Sequence, residues 1–207
     1  MNLLIKVCGM TDGDNIRQVE ALGVDYIGLV FYPRSPRFVY QMPSYLPQQA
    51  RPVGVFVNES KETVLTYADR FGLDCVQLHG DESPLYCRAL REGHGLTVIK
   101  AFHLATPRDL AATDDYHGVC DYFLFESKTP QRGGTGRQFD WTFHNPYTGQ
   151  TPFFLSGGLN AGSARAIRQF RHPQLAGIDL NSRFETSPGI KDVERIRLFL
   201  KELKEYH

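Results

Sequence analysis

The sequence predicts a single-domain α/β protein over residues 1–207, folded as a (β/α)8 TIM barrel. Three observations carry that expectation. Eight short runs of aliphatic, β-branched or aromatic residues recur along the chain. Most are nearly continuous in hydrophobicity, as strands of a parallel sheet covered on both faces are, rather than alternating like half-solvated antiparallel strands. The repeat averages about 26 residues, close to a minimal βα unit of roughly 30.

The runs are LIKV (4–7), DYIGLVF (25–31), PVGVFV (52–57), CVQL (75–78), LTVIKAF (96–102), DYFLF (121–125), PFFLS (152–156) and GIDL (177–180). After the first, Ile16, Val19 and Leu22 recur at helical spacing; after the last, Ile190, Val193, Ile196, Phe199, Leu200 and Leu203 do the same. Two connections are poor helices. PSYLPQQA (43–50), after the second run, carries two prolines, and after the sixth only FDWTF (139–143) is available. Strand counting does not see closure, so a doubly wound open sheet is the structural alternative. No low-complexity tract, charge block or linker divides the chain.

Composition narrows the function. With 207 residues and 42% hydrophobic content, one core can bury about 70% of the unfolded surface. Lys plus Arg and Asp plus Glu are each 23, which excludes general attraction to nucleic acid or to an anionic membrane, so any anion site is local. No window approaches a membrane span of 18 apolar residues. Cys8, Cys75, Cys87 and Cys120 form no C-x-x-C pair, and the scattered histidines form no H-E-x-x-H. No metal and no cofactor is expected. The absence of a leader pattern in MNLLIK and the cysteine usage point to a reducing, cytoplasmic setting.

In a barrel of this kind the active site lies at the C-terminal strand ends. The residues there are Cys8, Arg37 in YPRSPR, Asn58, His79, Phe102, Glu126, Ser156 with Gly157 and Gly158, and Asn181 with Ser182. A thiol, a carboxylate, a guanidinium and paired glycines on one rim make an acid/base and anion-binding set. Cys8 taken alone reads as a small buried hydrophobe, and its company on the rim brings the functional reading level with that one; His79 reads equally as a polar residue at the mouth or a substrate contact. Arg37 has the fork suited to a planar carboxylate. Cys75, Cys87 and Cys120 read as packing. Three loops suit phosphate: RGGTGR (132–137), SGGLNAG (156–162) and NSRFETSPG (181–189). Adjacent glycines let backbone N–H groups converge on an anion, and in the second loop Asn160 or Ser163 can cap the helix that follows. RGGTGR fits neither a P-loop nor a dinucleotide fingerprint.

Taken in order, KVCGMT, DYIGLVFYPRSPR, VGVFVN, VQLHGDES, IKAF, GGTGRQFDW, FFLSGGLN and GIDLNSRFETSPGIKD resemble the phosphoribosylanthranilate isomerase family of tryptophan biosynthesis, from Lys6 to Asp192. The resemblance implies a (β/α)8 enzyme without cofactor or metal, acting on a small phosphorylated aminosugar as a monomer or homodimer. The implied reaction is the Amadori rearrangement of N-(5-phosphoribosyl)anthranilate to 1-(2-carboxyphenylamino)-1-deoxyribulose 5-phosphate. It implies Cys8 as general base at the sugar C2′ and Glu126 as general acid at the ring oxygen. It also implies substrate contacts from Arg37 to the anthranilate carboxylate and from Asp179, with His79 beside them. Gly134, Thr135, Gly136, Gly157, Gly158, Ser182 and Arg183 fall on its phosphate loops. A thiol base implies a locally positive environment.

Two departures from the family pattern stand out. The acid is usually Asp, and here it is Glu126; the eighth strand usually ends in Ser-Gly, and here it ends in Ser182-Arg183. Arg183 either points away while backbone donors bind phosphate, or adds its guanidinium. Two alternatives remain at this level: another phosphate-binding barrel of tryptophan or histidine biosynthesis, such as indole-glycerol-phosphate synthase with a catalytic lysine near the first strand, where Lys6 stands, or a barrel that binds sugar phosphate without turnover.

Overall fold

A computed structural model describes residues 3–127 and 146–204. All eight predicted strands are present: β1 Leu4–Cys8, β2 Tyr26–Val30, β3 Arg51–Phe56, β4 Cys75–Leu78, β5 Thr97–Leu104, β6 Tyr122–Ser127, β7 Phe153–Ser156 and β8 Leu175–Leu180. They pair in parallel and in chain order, and β8 returns to β1 through Leu4↔Gly177 to Val7↔Leu180, so the sheet closes. The open-sheet alternative is thereby excluded.

The helices follow the local chemistry. In α1, Gly13–Glu20, the carboxylate of Asp12 accepts from the Asn15 N–H. In α2, Lys61–Phe71, and α3, Pro84–His94, Ser60 and Ser83 cap the N-termini, and Gly72 and Gly95 leave the helices in left-handed conformation. A 3₁₀ segment, Pro107–Tyr116, follows β5. After β7 comes a turn at Ala161–Ser163, then α4, Ala164–Gln169, with Asn160 and Ser163 each accepting from the other's end of the turn. The chain continues through α5, Val193–Lys204.

The segment after β2 has no helix, as its prolines dictate. Buried Glu20 instead accepts from the N–H groups of Gln48, Gln49 and Ala50 at 2.7, 2.7 and 2.9 Å, pairing backbone that a helix would have paired itself. The segment FDWTF, expected as a brief helix, and the loop carrying Gly134, Thr135 and Gly136 lie outside the described residues. Ile190, the first of the last helical pattern, belongs to a small hairpin: β9, Glu185–Ser187, pairs with β10, Ile190–Lys191.

Strand register divides the side chains into two sets. Val7, Ile27, Leu29, Phe123, Phe125, Leu155 and Ile178 join the apolar layer under the helices. Tyr26, Val53, Cys75, Ile99, Ala101, Leu124 and Phe154 form a separate cluster that fills the barrel. The second set shares its strand parity with Lys6, Cys8, Gln77, His103, Glu126 and Asp179. An interior plug on one parity therefore leaves the upper positions of that parity to form the mouth.

At the β1–β8 seam, a Cβ on Gly177 would run into the Leu4 carbonyl oxygen and approach the Phe154 ring to 2.7 Å. Gly177→Ala is expected to lower unfolding free energy by about 1–3 kcal/mol, the scale of overpacking a close contact. Urea denaturation checks this, and an unchanged midpoint would show that the seam gives way freely.

Candidate active site

The C-terminal strand ends surround a cavity of about 300 Å³. Of the predicted residues, Cys8, Arg37, His79, Glu126, Gly157, Gly158, Asp179 and Ser182 line it together. Arg183 does not; it is exposed on the 3₁₀ turn Ser182–Phe184.

Cys8 ends β1, 3% exposed, opposite Gly28. Any Cβ at position 28 would stand 2.7 Å from the Cys8 Sγ, so this glycine gives the thiol its space. One inward position below, Lys6 Nζ lies 3.0 Å from Asp179 Oδ1, with both side chains buried. Burial works against the Lys6 ammonium, but Asp179 and Cys8 outweigh it and hold its pKa above the ordinary value. For Cys8 the balance is opposite: burial pushes the thiol up, and the cations Lys6 and Lys191 pull it down without cancelling the rise. The positive environment expected around the thiol is present, but it limits a desolvation cost rather than producing a low pKa.

Glu126 lies on β6, facing His103 of β5 in direct register. Its Oε2 is 2.9 Å from His103 Nδ1 and 3.2 Å from His79 Nε2. Hydrogen bonds from His103 first, then His79, hold the carboxyl well below the usual carboxylate range despite its partial burial. Gln77 Nε2 donates to His79 Nδ1 at 2.8 Å, leaving His79 Nε2 as the N–H that faces Glu126. At rest Glu126 is a carboxylate held by two imidazoles in a three-residue cluster.

Arg37 turns its fork toward Glu185, with Nε–Oε1 2.8 Å and Nη2–Oε2 2.6 Å. Glu185 also accepts from Lys191 Nζ at 2.6 Å, and Lys191 Nζ donates to Asn181 Oδ1 at 2.9 Å. The β9–β10 hairpin thus pins the Arg37 guanidinium at the cavity wall by a bidentate ion pair. Gly157 and Gly158 both have positive φ, 83° and 68°. A Cβ on Gly157 would meet the backbone N and O of Ser127 at 2.9 Å, so the turn after β7 can sit against β6 only as glycine.

The sequence reading missed His103, Glu185 and Lys191. It placed Phe102 at the rim because the apolar run of the fifth strand stops there; β5 continues to Leu104, and Phe102 packs in the outer layer. Counting inward parity from Ile99 and Ala101 would have pointed to His103.

A closed (β/α)8 barrel with a thiol, a carboxylate, a guanidinium and a glycine-cornered loop at its C-terminal mouth defines an acid/base barrel enzyme with room for a small molecule. The family described as N-(5'phosphoribosyl)anthranilate (PRA) isomerase matches residues 5–202. The chain belongs to that family. It is 49% identical to the N-(5'-phosphoribosyl)anthranilate isomerase of Phocaeicola vulgatus, over 98% of each chain, and 46% identical to that of Parabacteroides distasonis, over 97% of this chain and 93% of the relative. Among solved structures, the phosphoribosyl anthranilate isomerase of Thermotoga maritima superposes with TM-score 0.84 at 34% identity, covering 98% of this chain and 99% of that one. A phosphoribosyl anthranilate isomerase in complex with reduced 1-(o-carboxyphenylamino)-1-deoxyribulose 5-phosphate superposes with TM-score 0.83 at 32% identity over the same shares.

The thiolate is the form that attacks alkylating reagents. Because burial raises the Cys8 pKa, its alkylation rate is expected to keep climbing with pH past an ordinary thiol's midpoint near 8.5. Iodoacetamide labelling followed by mass spectrometry checks this; a plateau reached by neutral pH would show that the cations win over burial.

Proposed function

We propose that this chain isomerises N-(5-phosphoribosyl)anthranilate to 1-(2-carboxyphenylamino)-1-deoxyribulose 5-phosphate. The observation that carries the proposal is Cys8 and Glu126 lining one cavity of a chain that belongs to the isomerase family. Ring opening needs a proton delivered to the ring oxygen, and enolamine formation needs the C2′ proton removed, so the reaction requires an acid and a base on different parts of one sugar. In this reading the Glu126 cluster delivers the first proton. The Cys8 thiolate takes the second, with Lys6 beside it to stabilise the charge. The product ketone forms when the enolamine is reprotonated.

Arg37, fixed by Glu185, faces the anthranilate carboxylate, and Asp179 and His79 lie on the adjoining wall. The 5′-phosphate sits against the turns at Gly157, Gly158 and Ser182, where backbone N–H groups serve as donors. The departure at Arg183 is accommodated by its outward position, and backbone donors at Ser182 carry that side of the phosphate site. Gly134, Thr135 and Gly136 complete the phosphate loops in the family pattern and lie outside the described residues. The four free cysteines suit a reducing cytoplasm, and among the described residues no helix is long and apolar enough to cross a membrane. A monomer or a homodimer fits this reading; one structure from Thermotoga maritima concerns monomers of a dimeric relative.

The alternative of an indole-glycerol-phosphate synthase is disfavoured. Lys6, the candidate catalytic lysine, is buried in an ion pair with Asp179 and does not line the cavity. Loss of the fluorescence of freshly generated phosphoribosylanthranilate, followed with the purified chain in catalytic amounts, tests the proposal. Binding without turnover would mean a barrel that has lost its chemistry.

Cys8→Ala is expected to lower kcat by about 10²-fold or more with little change in substrate affinity, the scale of a lost general base. Glu126→Gln is expected to lose most of kcat, and Glu126→Asp to bring no gain, because His79 and His103 are set to the longer side chain. Unchanged kcat in the alanine variant, or a tenfold gain in the aspartate variant, would overturn these assignments. Arg37→Ala is expected to weaken binding of the reduced product analogue by about 2–4 kcal/mol, since it leaves a desolvated carboxylate unpaired. Calorimetry with that analogue checks it, and equal affinity would remove Arg37 from the binding site.

A further inference from the structure

Three consecutive strands bring one ligating atom each to a single point on the rim. His79 follows β4, His103 lies on β5 and Glu126 on β6. Glu126 Oε2 is 3.2 Å from His79 Nε2 and 2.9 Å from His103 Nδ1, and the three donor atoms all lie within 4.8 Å of one another. His103 and Glu126 are direct register partners on adjacent strands, His79 follows the last residue of β4, and the two imidazole rings meet edge to face at 5.1 Å.

A second observation comes from beneath the cluster. Gln77, 1% exposed, donates its amide Nε2 to His79 Nδ1, and its Oε1 has no hydrogen-bond partner among the described residues. A buried amide oxygen without a partner costs free energy. If His79 Nε2 gave its lone pair to a metal, the ring proton would move to Nδ1, and a half-turn of the Gln77 amide would bring Oε1 onto it. That is the usual outer partner of a metal-bound imidazole; it would give the orphan oxygen a donor, with the amide nitrogen taking its former place.

We propose that His79, His103 and Glu126 form a site for a divalent transition metal of the zinc type, and that its occupation inhibits the isomerase. Bonds of about 2.0–2.1 Å to two imidazole nitrogens and one carboxylate oxygen place these donors about 3.3 Å apart in a tetrahedral arrangement, so the carboxylate oxygen already stands near the required distance from each ring, and the two ring nitrogens, within 4.8 Å of each other, close by at most about 1.5 Å. The donor set selects Zn²⁺ over Mg²⁺ and Ca²⁺, which prefer all-oxygen shells. All three side chains are partly exposed, which leaves an outward position for water. The bound metal occupies the carboxylate oxygen that faces both imidazoles, so Glu126 can no longer take up or deliver a proton. Inhibition rests on the acid role proposed above for Glu126; binding of the metal does not.

Calorimetric titration of the purified chain with ZnCl₂ alone, without substrate, is expected to give one site per chain at micromolar or tighter affinity. His103→Ala and Glu126→Gln are each expected to weaken it by tenfold or more, and Cys8→Ser to leave it intact. Substituted Co²⁺ is expected to show the visible bands of a tetrahedral nitrogen and oxygen shell without a thiolate charge-transfer band. In turnover assays of the parent chain, Zn²⁺ is expected to inhibit at the concentrations that titrate the site, and a chelator to restore the rate. Absence of binding, binding indifferent to His103→Ala, or a thiolate band showing that Cys8 holds the metal would each overturn the site. Site occupation without loss of turnover would overturn the inhibition. A chain that binds Zn²⁺ as described but does not isomerise phosphoribosylanthranilate would contradict the functional proposal and leave the metal site standing.

Discussion

Closure of β8 onto β1 is the constraint on which the rest of the structure depends. It fixes the parity of every strand at once, because a shift of one residue would turn each inward side chain outward. The seam is marked inside the barrel by Lys6 and Asp179, register partners on adjacent strands and joined by a buried ion pair. Such a pair contributes little net stability, but removing one member strands a charge and costs about 3–5 kcal/mol. Its effect here is positional. The ammonium lies directly below the Cys8 thiol, and the pair occupies the level between the apolar plug and the cavity.

The same parity positions Glu126, the proposed acid, where the family usually has Asp. One more methylene moves a carboxyl by about 1.5 Å, and an error of 1 Å at a reacting group can cost on the order of 10²-fold. Glu126 is not left to search for a position. His103, its register partner, and His79, held from below by Gln77, grip the same carboxylate oxygen. The longer side chain and the imidazole on the neighbouring strand form one unit. Glu185 does for Arg37 what the imidazoles do for Glu126, using a hairpin instead of a strand.

The eight strands were legible because each is an apolar run bounded by turn-forming residues, and a poor helix after β2 was legible from its two prolines, though not that the segment would form none. Cys8, Glu126, Arg37 and the glycine turn at 157–158 were legible because barrel geometry puts the residue after each run at the mouth. Closure was not, since hydrophobicity records that a strand is buried and not which strand lies beside it. His103 was hidden because β5 outlasts its apolar run by two residues. Glu185 was hidden because its partner Arg37 lies 148 positions away, and Lys191, six positions from Glu185, because an ion pair across a short hairpin leaves no periodic signal in the sequence. The outward placement of Arg183 depends on a 3₁₀ turn that its own residue type does not specify.

The central claim is that the buried thiol of Cys8 removes the C2′ proton while the Glu126 cluster serves the ring oxygen. The most direct test is the kinetic isotope effect with substrate deuterated at C2′, measured for the parent chain and for Cys8→Ser, which retains the volume but offers a far weaker base. The account predicts a normal isotope effect in the parent that grows in the serine variant as C2′ deprotonation becomes the slow step. The same isotope effect and the same rate in both would mean that another group takes the proton.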